Sequence, residues 1–331
     1  MKRKSVVITP KFIDDSTIRF LEAHDCEVVV AEFADGRTDA NATEEELISL
    51  LAHADAWIVG HARVTLSLLQ SLPRLKVLAR RGVGYERIDL DAAVDAGKFV
   101  TIAAGGNEES VADHTLALML AVAHRLRESQ QQLLDGPGSI LIGHDLYAKT
   151  VGIVGLGRIA RQVIKRLRAF DTTILVATPQ PAIADAGIEY VDLETLLQRS
   201  DFVSVHAPLK PDNRHLIDAR RLTLMKSSAF LINTARGGLV DDRALLAALK
   251  EGRLAGAGLD VFESESDPSL AEVTKELVRL PNVVATPHSG ASTHEALQRT
   301  NAIAASCVVA LLAGTQPPRG CLVAEPTQSL S

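Results

Sequence analysis

Residues 150–167 read TVGIVGLGRIARQVIKRL, and this stretch narrows the available folds further than any other in the chain. A β-branched apolar run ends at Gly155, a second glycine stands at Gly157, and Arg158 and Ile159 open a helical pattern that includes Ala160. Each small residue of G-x-G-x-x-A has a physical reason. The first glycine permits the tight turn out of the strand, the second lets backbone approach a diphosphate, and the third lets helix pack closely on strand. Amide hydrogens at the helix start then face the anion. A strand feeding directly into such a helix belongs to a crossover unit, hence to a parallel sheet. Gly155, Gly157, Arg158 and Ile159 are therefore the expected contacts of a dinucleotide cofactor.

The rest of the chain repeats the alternation. Short β-rich runs at 5–9, 27–31, 56–59, 76–79 and 100–102 have helical patterns between them, such as 44–53 and 89–96. A second series follows at 151–154, 173–177, 202–205, 229–233, 256–260 and 282–286. Strand and helix in series predict parallel sheets covered by helices. At 331 residues the chain exceeds one ordinary core and suits two domains of roughly 100–200 residues. The expected fold class is α/β, with two doubly wound parallel-sheet domains. Residues 110–134 read as one long helix able to carry the chain between domains, ended by Asp135-Gly136-Pro137-Gly138. Another, 293–312, follows the last strand and stops before Gly314 and Pro317-Pro318.

Composition excludes several classes. A hydrophobic fraction of 47% with 23% charged residues is that of a globular protein. A formal charge of −6 gives no electrostatic ground for a nucleic-acid partner. The longest apolar helical run, 116–123, is far short of the roughly 20 residues of a membrane span. MKRKSVVITP begins like a signal peptide, but Pro10, Lys11, Asp14 and Asp15 interrupt its apolar core. Cys26, Cys307 and Cys321 form no CxxC pair, which argues against a disulfide framework or a metal site and for a reducing, cytoplasmic setting.

A strand after the glycine turn ordinarily ends in an acid that binds the ribose hydroxyls of NAD. Here ILVATPQP puts Thr178 at that place. Loss of the carboxylate removes the group that repels a ribose phosphate, so NADP is admissible beside NAD. No arginine adjoins Thr178, and the choice stays open.

Three ionisable residues follow later strands: Arg236 in AFLINTARGGLVDD, Glu265 in GLDVFESES and His288 in NVVATPHSG. In an open parallel sheet, ligands bind beyond the carboxyl ends of the strands, so all three share the edge that carries the glycine turn. A hydride moving from a nicotinamide to a ketone carbon leaves charge on oxygen, and a histidine that titrates near working pH can supply the proton. A carboxylate partner such as Glu265 would orient the imidazole and favour its protonated form. The fork of Arg236 suits a substrate carboxylate and a polarised carbonyl.

GLGRIA, DFVSVHAPL, NTARGGLVDDRALLAALKEGRLAGAGLDVFE and TPHSGAST resemble the signatures of the D-isomer-specific 2-hydroxyacid dehydrogenase family, over nearly the whole chain. The resemblance implies Arg236, Glu265 and His288 as the catalytic set, with Asp260 beside the nicotinamide amide. It adds His206, Ala207, Pro208, Thr234 and Ala235 to the cofactor contacts, which Arg236, Asp260 and His288 also join. RRGVGYERID would offer the amides of Val83 and Gly84 to a substrate carboxylate, with Asn107 close by. The implied architecture is a Rossmann nucleotide-binding domain, 104–287, and a discontinuous flavodoxin-like substrate domain, 1–103 with 288–331. Homodimers would pair through the nucleotide domain and its long helix.

The chain departs from the family pattern at Thr178, often Asp, at Ser266, often Pro, and at Glu86-Arg87, often Asp-Asn. Gly60 stands near where relatives acting on phosphoglycerate carry a phosphate-binding arginine, with Arg63, Arg80 and Arg81 as the cations able to substitute. The expected function is hydride transfer between NAD or NADP and a small 2-keto or 2-hydroxy acid. Three alternatives accompany it. They are phosphoglycerate dehydrogenase specifically, formate oxidation (disfavoured without that subgroup's extra N-terminal segment), and a nucleotide-sensing binding protein similar to corepressors that resemble the same family.

Overall fold

A computed structural model describes residues 3–136, 138–179 and 187–327. The chain divides into two compact units, Met1–Asn107 with Thr293–Ser331, and Glu108–Ser292.

The first unit opens with β1 (Lys4–Ile8), α1 (Asp15–Ala23), β2 (Cys26–Val30), α2 (Glu44–Leu51), β3 (Ala56–Val59), α3 (Leu66–Gln70), β4 (Val77–Arg80), α4 (Leu90–Asp95) and β5 (Phe99–Ile102). These strands lie parallel in the order β5-β4-β3-β1-β2, so the order reverses between β1 and β3. Period-2 alternation explains why both faces are covered. Val7, Trp57, Val59 and Leu78 pack with Leu47, Leu51, Leu68 and Leu69, while Val6, Ile8, Ile58 and Val77 pack on the opposite face with Leu21. Helix α2 starts at a reciprocal cap: Glu46 N–H donates to Thr43 Oγ1 and Thr43 N–H donates to Glu46 Oε2.

The second unit contains α5 (Glu108–Ala123), α6 (Leu126–Asp135), β6 (Thr150–Val154), α7 (Arg158–Leu167), β7 (Thr173–Ala177), β8 (Ile188–Tyr190), α8 (Leu193–Arg199) and β9 (Phe202–Val205). It continues with α9 (Ala219–Leu222), β10 (Phe230–Asn233), α10 (Asp242–Lys250), β11 (Gly256–Leu259), α11 (Ala271–Arg279) and β12 (Val283–Ala285). Its seven parallel strands run β12-β11-β10-β9-β6-β7-β8, the Rossmann arrangement, with the reversal between β6 and β9. Met119, Val122, Val163 and Ile164 cover one face against Val151, Ile153 and Ile232. Leu196, Leu222, Leu245 and Leu277 cover the other against Leu175, Val203, Leu231 and Leu259.

The single helix expected over 110–134 is two helices. Arg125 adopts a left-handed backbone, φ 54°, and its guanidinium holds Glu128 at 3.0 and 2.6 Å. His144 N–H donates to Ala123 O, a carbonyl that a continued helix would need for itself. Pro137, expected as part of the stop, lies outside the described residues.

After the second unit, α12 (His294–Leu312) returns to the first and packs Ala304, Ala305 and Val308 beside Leu21. A last strand, β13 (Leu322–Ala324), joins the edge of β5 antiparallel, so this sheet is mixed there rather than wholly parallel. A three-residue strand displays no alternation to read, and pairing with β5 alone defines it.

Candidate active site

The sequence of β6 dictates the turn that follows it. Gly155 has φ +94°, and a Cβ there would lie 2.9 Å from the carbonyl carbon and oxygen of His206, so only glycine fits. A Cβ on Gly157 would meet nothing within 4 Å, which leaves open space in front of α7. Gly157 is the N-cap of α7 and makes no side-chain cap hydrogen bond, while Ala160 is fully buried. The helix start therefore presents uncapped amides at Arg158 and Ile159 beside an open approach, and these residues fit a dinucleotide diphosphate. His206, Ala207 and Pro208 follow β9, the strand next to β6, and His206 N–H donates to Val154 O at 2.8 Å. Desolvation lowers the His206 imidazole to about 4, so the ring is neutral, and Ser204 Oγ bonds its Nε2 at 2.8 Å. Thr178 directly follows β7.

Arg236, Asp260 and His288 follow β10, β11 and β12, which are parallel neighbours, so all three occupy one sheet edge. Asn233 shapes the approach to Arg236: its Nδ2 donates to Arg236 O at 2.9 Å and its Oδ1 accepts from Ala235 N–H at 3.1 Å. Arg236 Nη1 donates to Ala235 O at 2.7 Å. Thr234 is buried, and its Oγ1 bonds Thr115 Oγ1 of α5 at 2.9 Å. A Cβ on Gly237 would fall 2.1 Å from the carbonyl carbon of Phe262, so the loop after Arg236 lies directly against the loop that carries Glu265.

His288 and Glu265 meet. His288 Nδ1 lies 2.6 Å from Glu265 Oε2, with the two side chains 47% and 42% exposed. Glu265 Oε1 accepts from Phe262 N–H at 2.9 Å, so one carboxylate oxygen fixes its own turn and the other fixes the imidazole. Among the described residues no hydrogen bond engages His288 Nε2. His288 has φ 53°, a left-handed conformation uncommon for a side-chain-bearing residue.

Asp260 holds that conformation in place. Its backbone oxygen accepts from His288 N–H at 2.7 Å, and its carboxylate accepts from Thr286 Oγ1, Ser289 N–H and Gly290 N–H at 2.6, 2.8 and 2.9 Å. His114 Nε2 on α5 lies 2.8 Å from Thr286 Oγ1 and 3.4 Å from Asp260 Oδ1. Burial opposes ionisation of Asp260, but these donors outweigh it and keep its pKa below the usual carboxylate value. The resemblance puts Asp260 beside the nicotinamide; the observed bonds also tie it to the backbone around His288.

Sequence reading missed a second buried cluster under the same loops. Asp242 N–H donates to Glu263 Oε2 and Glu263 N–H donates to Asp242 Oδ2, at 3.1 and 2.9 Å. Arg214 and His215 both reach Glu263 Oε1 at 2.7 Å. Burial, reinforced by the charges of Glu263 and Asp241, pushes Asp242 up to about 7. Nothing in the local sequence singles out Glu263, two residues before Glu265, or Asp242, at the start of α10; folding buries them face to face.

In the other unit, Gly82 has φ +148° after β4 and Arg80 Nε donates to Gly84 O at 3.0 Å. Among the described residues, neither Val83 N–H nor Gly84 N–H donates to another residue. Asn107 is 7% exposed, and its Oδ1 has no hydrogen-bond partner among the described residues.

Comparison with known proteins gives this geometry a context. Residues 116–290 match the family model described as D-isomer specific 2-hydroxyacid dehydrogenase, NAD binding domain. The chain belongs to this family. It is 38% identical over 334 residues to a glyoxylate reductase of Thermofilum pendens, covering 96% of this chain and 94% of that protein. It is also 38% identical over 316 residues to D-3-phosphoglycerate dehydrogenase of Methanocaldococcus jannaschii, covering 93% of this chain but spanning only 57% of that longer protein. Among solved structures, D-lactate dehydrogenase of Aquifex aeolicus, complexed with NAD and lactic acid, superposes with TM-score 0.80 at 29% identity, covering 98% of this chain and all of that one. An acyclic imino acid reductase in complex with NADPH and D-Arg gives TM-score 0.83 at 27% identity, covering 96% and 100%. This member of the family is thus an oxidoreductase of the 2-hydroxyacid dehydrogenase class and uses NAD or NADP. No described helix is long and apolar enough to cross a membrane.

Proposed function

We propose that this enzyme reduces a small 2-keto acid to the D-2-hydroxy acid, or runs the reverse, with His288 as proton donor, Glu265 as its orienting carboxylate and Arg236 as substrate ligand. The observation that carries the reading is the 2.6 Å His288–Glu265 pair on the sheet edge that also bears the glycine turn. Glu265 engages Nδ1, so the other nitrogen, Nε2, is the one available to protonate the carbonyl oxygen. The bound dinucleotide supplies the hydride. Arg236 pairs with the substrate carboxylate, and Asp260 positions the His288 turn through its four bonds to Thr286, His288, Ser289 and Gly290. Glycine-turn residues Gly155, Gly157, Arg158 and Ile159 hold the diphosphate, Thr178 meets the ribose, and His206, Ala207, Pro208, Thr234 and Ala235 line the cofactor. On the substrate side we assign the amides of Val83 and Gly84, which make no bond among the described residues, to a carboxylate, and Asn107, whose Oδ1 has no partner among them, to a polar group. The unit Glu108–Ser292 accordingly serves the cofactor and the unit Met1–Asn107 with Thr293–Ser331 the substrate.

The same reading includes a homodimer. Leu126, Leu133, Leu134, Ile140, Ile142 and Tyr147 are 56–96% exposed along one stretch of chain, an apolar surface that a second copy would cover. Three unpaired cysteines and the charge of −6 fit a cytoplasmic enzyme without a nucleic-acid partner. Replacement of His288 tests the function directly. His288→Gln is expected to lower kcat by on the order of 10³-fold while NADH binding, read by fluorescence, stays nearly unchanged. Undiminished turnover would refute the role.

A further inference from the structure

Asp39, in the loop between β2 and α2, is 2% exposed yet charged, and nothing in the proposed chemistry uses it. Its carboxylate sits where the strand order of the first unit reverses. Oδ2 accepts from Thr9 Oγ1, just past β1, at 2.7 Å and from Gly60 N–H, just past β3, at 2.6 Å, while Oδ1 accepts from His61 N–H at 2.8 Å. Trp57 Nε1 donates to Thr9 Oγ1 at 3.0 Å and fixes that hydroxyl as a donor toward Asp39. The reversal point of an open α/β sheet is the crevice in which ligands are bound, and successive backbone amides there suit an anion. In this chain the anion is built in.

The same geometry dictates the residue at position 60. A Cβ on Gly60 would lie 2.5 and 2.6 Å from the Asp39 oxygens, so no side chain fits there while the carboxylate is seated. Four of the neighbouring cations, Lys11, Arg80, Arg81 and Arg87, are held by backbone carbonyls, while Arg63 is exposed. Arg80 donates to Gly84 O and Arg81 O, Arg87 Nη1 donates to His61 O, and Lys11 Nζ donates to Gly36 O. Arg81, which interacts electrostatically with Asp39, donates to Lys11 O at 2.6 Å. Two pairs of amides on one sheet edge thus differ: Val83 and Gly84 make no bond to a described residue, whereas Gly60 and His61 are capped by a carboxylate.

We propose that Asp39 is a specificity-determining residue that restricts this enzyme to 2-keto acids carrying no second anionic group, phosphorylated ones above all. The inference rests on the 2-keto acid reading above and names its substrate class. A phosphate arriving at the crevice would find its amide donors taken by a carboxylate, and like charges brought together repel.

Hydroxypyruvate and phosphohydroxypyruvate, which differ only by the phosphoryl group, test it when assayed with NADH and with NADPH. The wild type is expected to favour hydroxypyruvate in kcat/KM by at least about 100-fold, and Asp39→Asn to narrow that ratio about 10-fold or more by gaining on the phosphorylated substrate. Glyoxylate turnover by the variant should change little. A wild type that uses phosphohydroxypyruvate as well or better, or an Asp39→Asn variant that loses both substrates in proportion, overturns the proposal; the first result would point to exposed Arg63 as a phosphate ligand. Should Asp39→Asn fail to fold, calorimetric titration of the wild type with NAD and either D-glycerate or 3-phosphoglycerate decides without turnover. Heat from D-glycerate alone supports the exclusion, and equal binding of both ends it. Absence of turnover with all of these keto acids would instead overturn the 2-keto acid reading, and the calorimetric comparison would still report on phosphate exclusion.

Discussion

At the reversal between β6 and β9, the backbone of the Rossmann sheet lies open: Gly155 turns, Gly157 faces empty space, and α7 begins without a cap. At the corresponding reversal between β1 and β3, the other sheet is closed by Asp39, which takes the amides of Gly60 and His61. Each edge depends on a glycine, but for opposite reasons. Gly155 makes room for its own backbone beside the open space at Gly157, whereas Gly60 makes room for a protein carboxylate. The same topological position is thus open in one sheet and filled by a protein carboxylate in the other.

Gly155→Val attacks the open edge and is expected to have the largest effect. A left-handed φ costs about 1–2 kcal/mol for a side-chain-bearing residue, and the overlap with His206 adds roughly 1–3 kcal/mol. We expect a sharply lowered Tm and no measurable NADH binding; normal cofactor affinity would show that the turn is not what holds the dinucleotide.

The buried acids beneath Arg236 and Glu265 sharpen the contrast through pH. Asp242 titrates near 7 in the folded protein against 3.8 for an ordinary aspartate, so between these values the folded state keeps a proton that the unfolded state has released. Stability therefore falls as pH rises through that window, by an amount on the order of a few kcal/mol, and the contribution is absent above it. Melting at pH 5 and pH 8 should reveal the loss, and Asp242→Asn should flatten it. An unchanged slope in the variant would assign the pH dependence to other groups.

Gly60→Ala probes the closed edge and should have the smallest effect. Displacement of the Asp39 carboxylate leaves the Gly60 and His61 amides without their partner, at a cost of roughly 1–3 kcal/mol. Cofactor binding should be unaffected, because the substitution lies in the unit that lacks the glycine turn. Loss of NADH affinity would break the comparison between the two edges.

Much of the molecule was legible from one dimension. Strand–helix alternation announced both sheets, and G-x-G-x-x-A announced the open glycine turn between β6 and α7, because turn geometry and period-2 burial are local properties of the chain. Arg236, Glu265 and His288 could be assigned to one edge since each follows a strand of the same parallel sheet. The break at Arg125 was not legible, because the chain near His144 that takes Ala123 O is remote in sequence from the helix it ends. Nor could β13 be recognised before it paired with β5.

The sequence by itself determined the α/β class with its parallel sheets and nominated Arg236, Glu265 and His288 as the reacting groups, since strand–helix periodicity and residue chemistry are local properties of the chain. Only the tertiary structure decided that Glu265 meets His288, that Asp260 secures the left-handed turn, that Asp242 and Glu263 are buried together, and that Asp39 fills a crevice. Those outcomes depend on which distant segments come together, and for Asp39, Asp242, Asp260 and Glu263 on which of them exclude water from a carboxyl group. A carboxylate in a polar loop has the same local sequence whether it is solvated or buried among backbone amides, and the contacts that distinguish the two cases exist only after the chain has closed on itself.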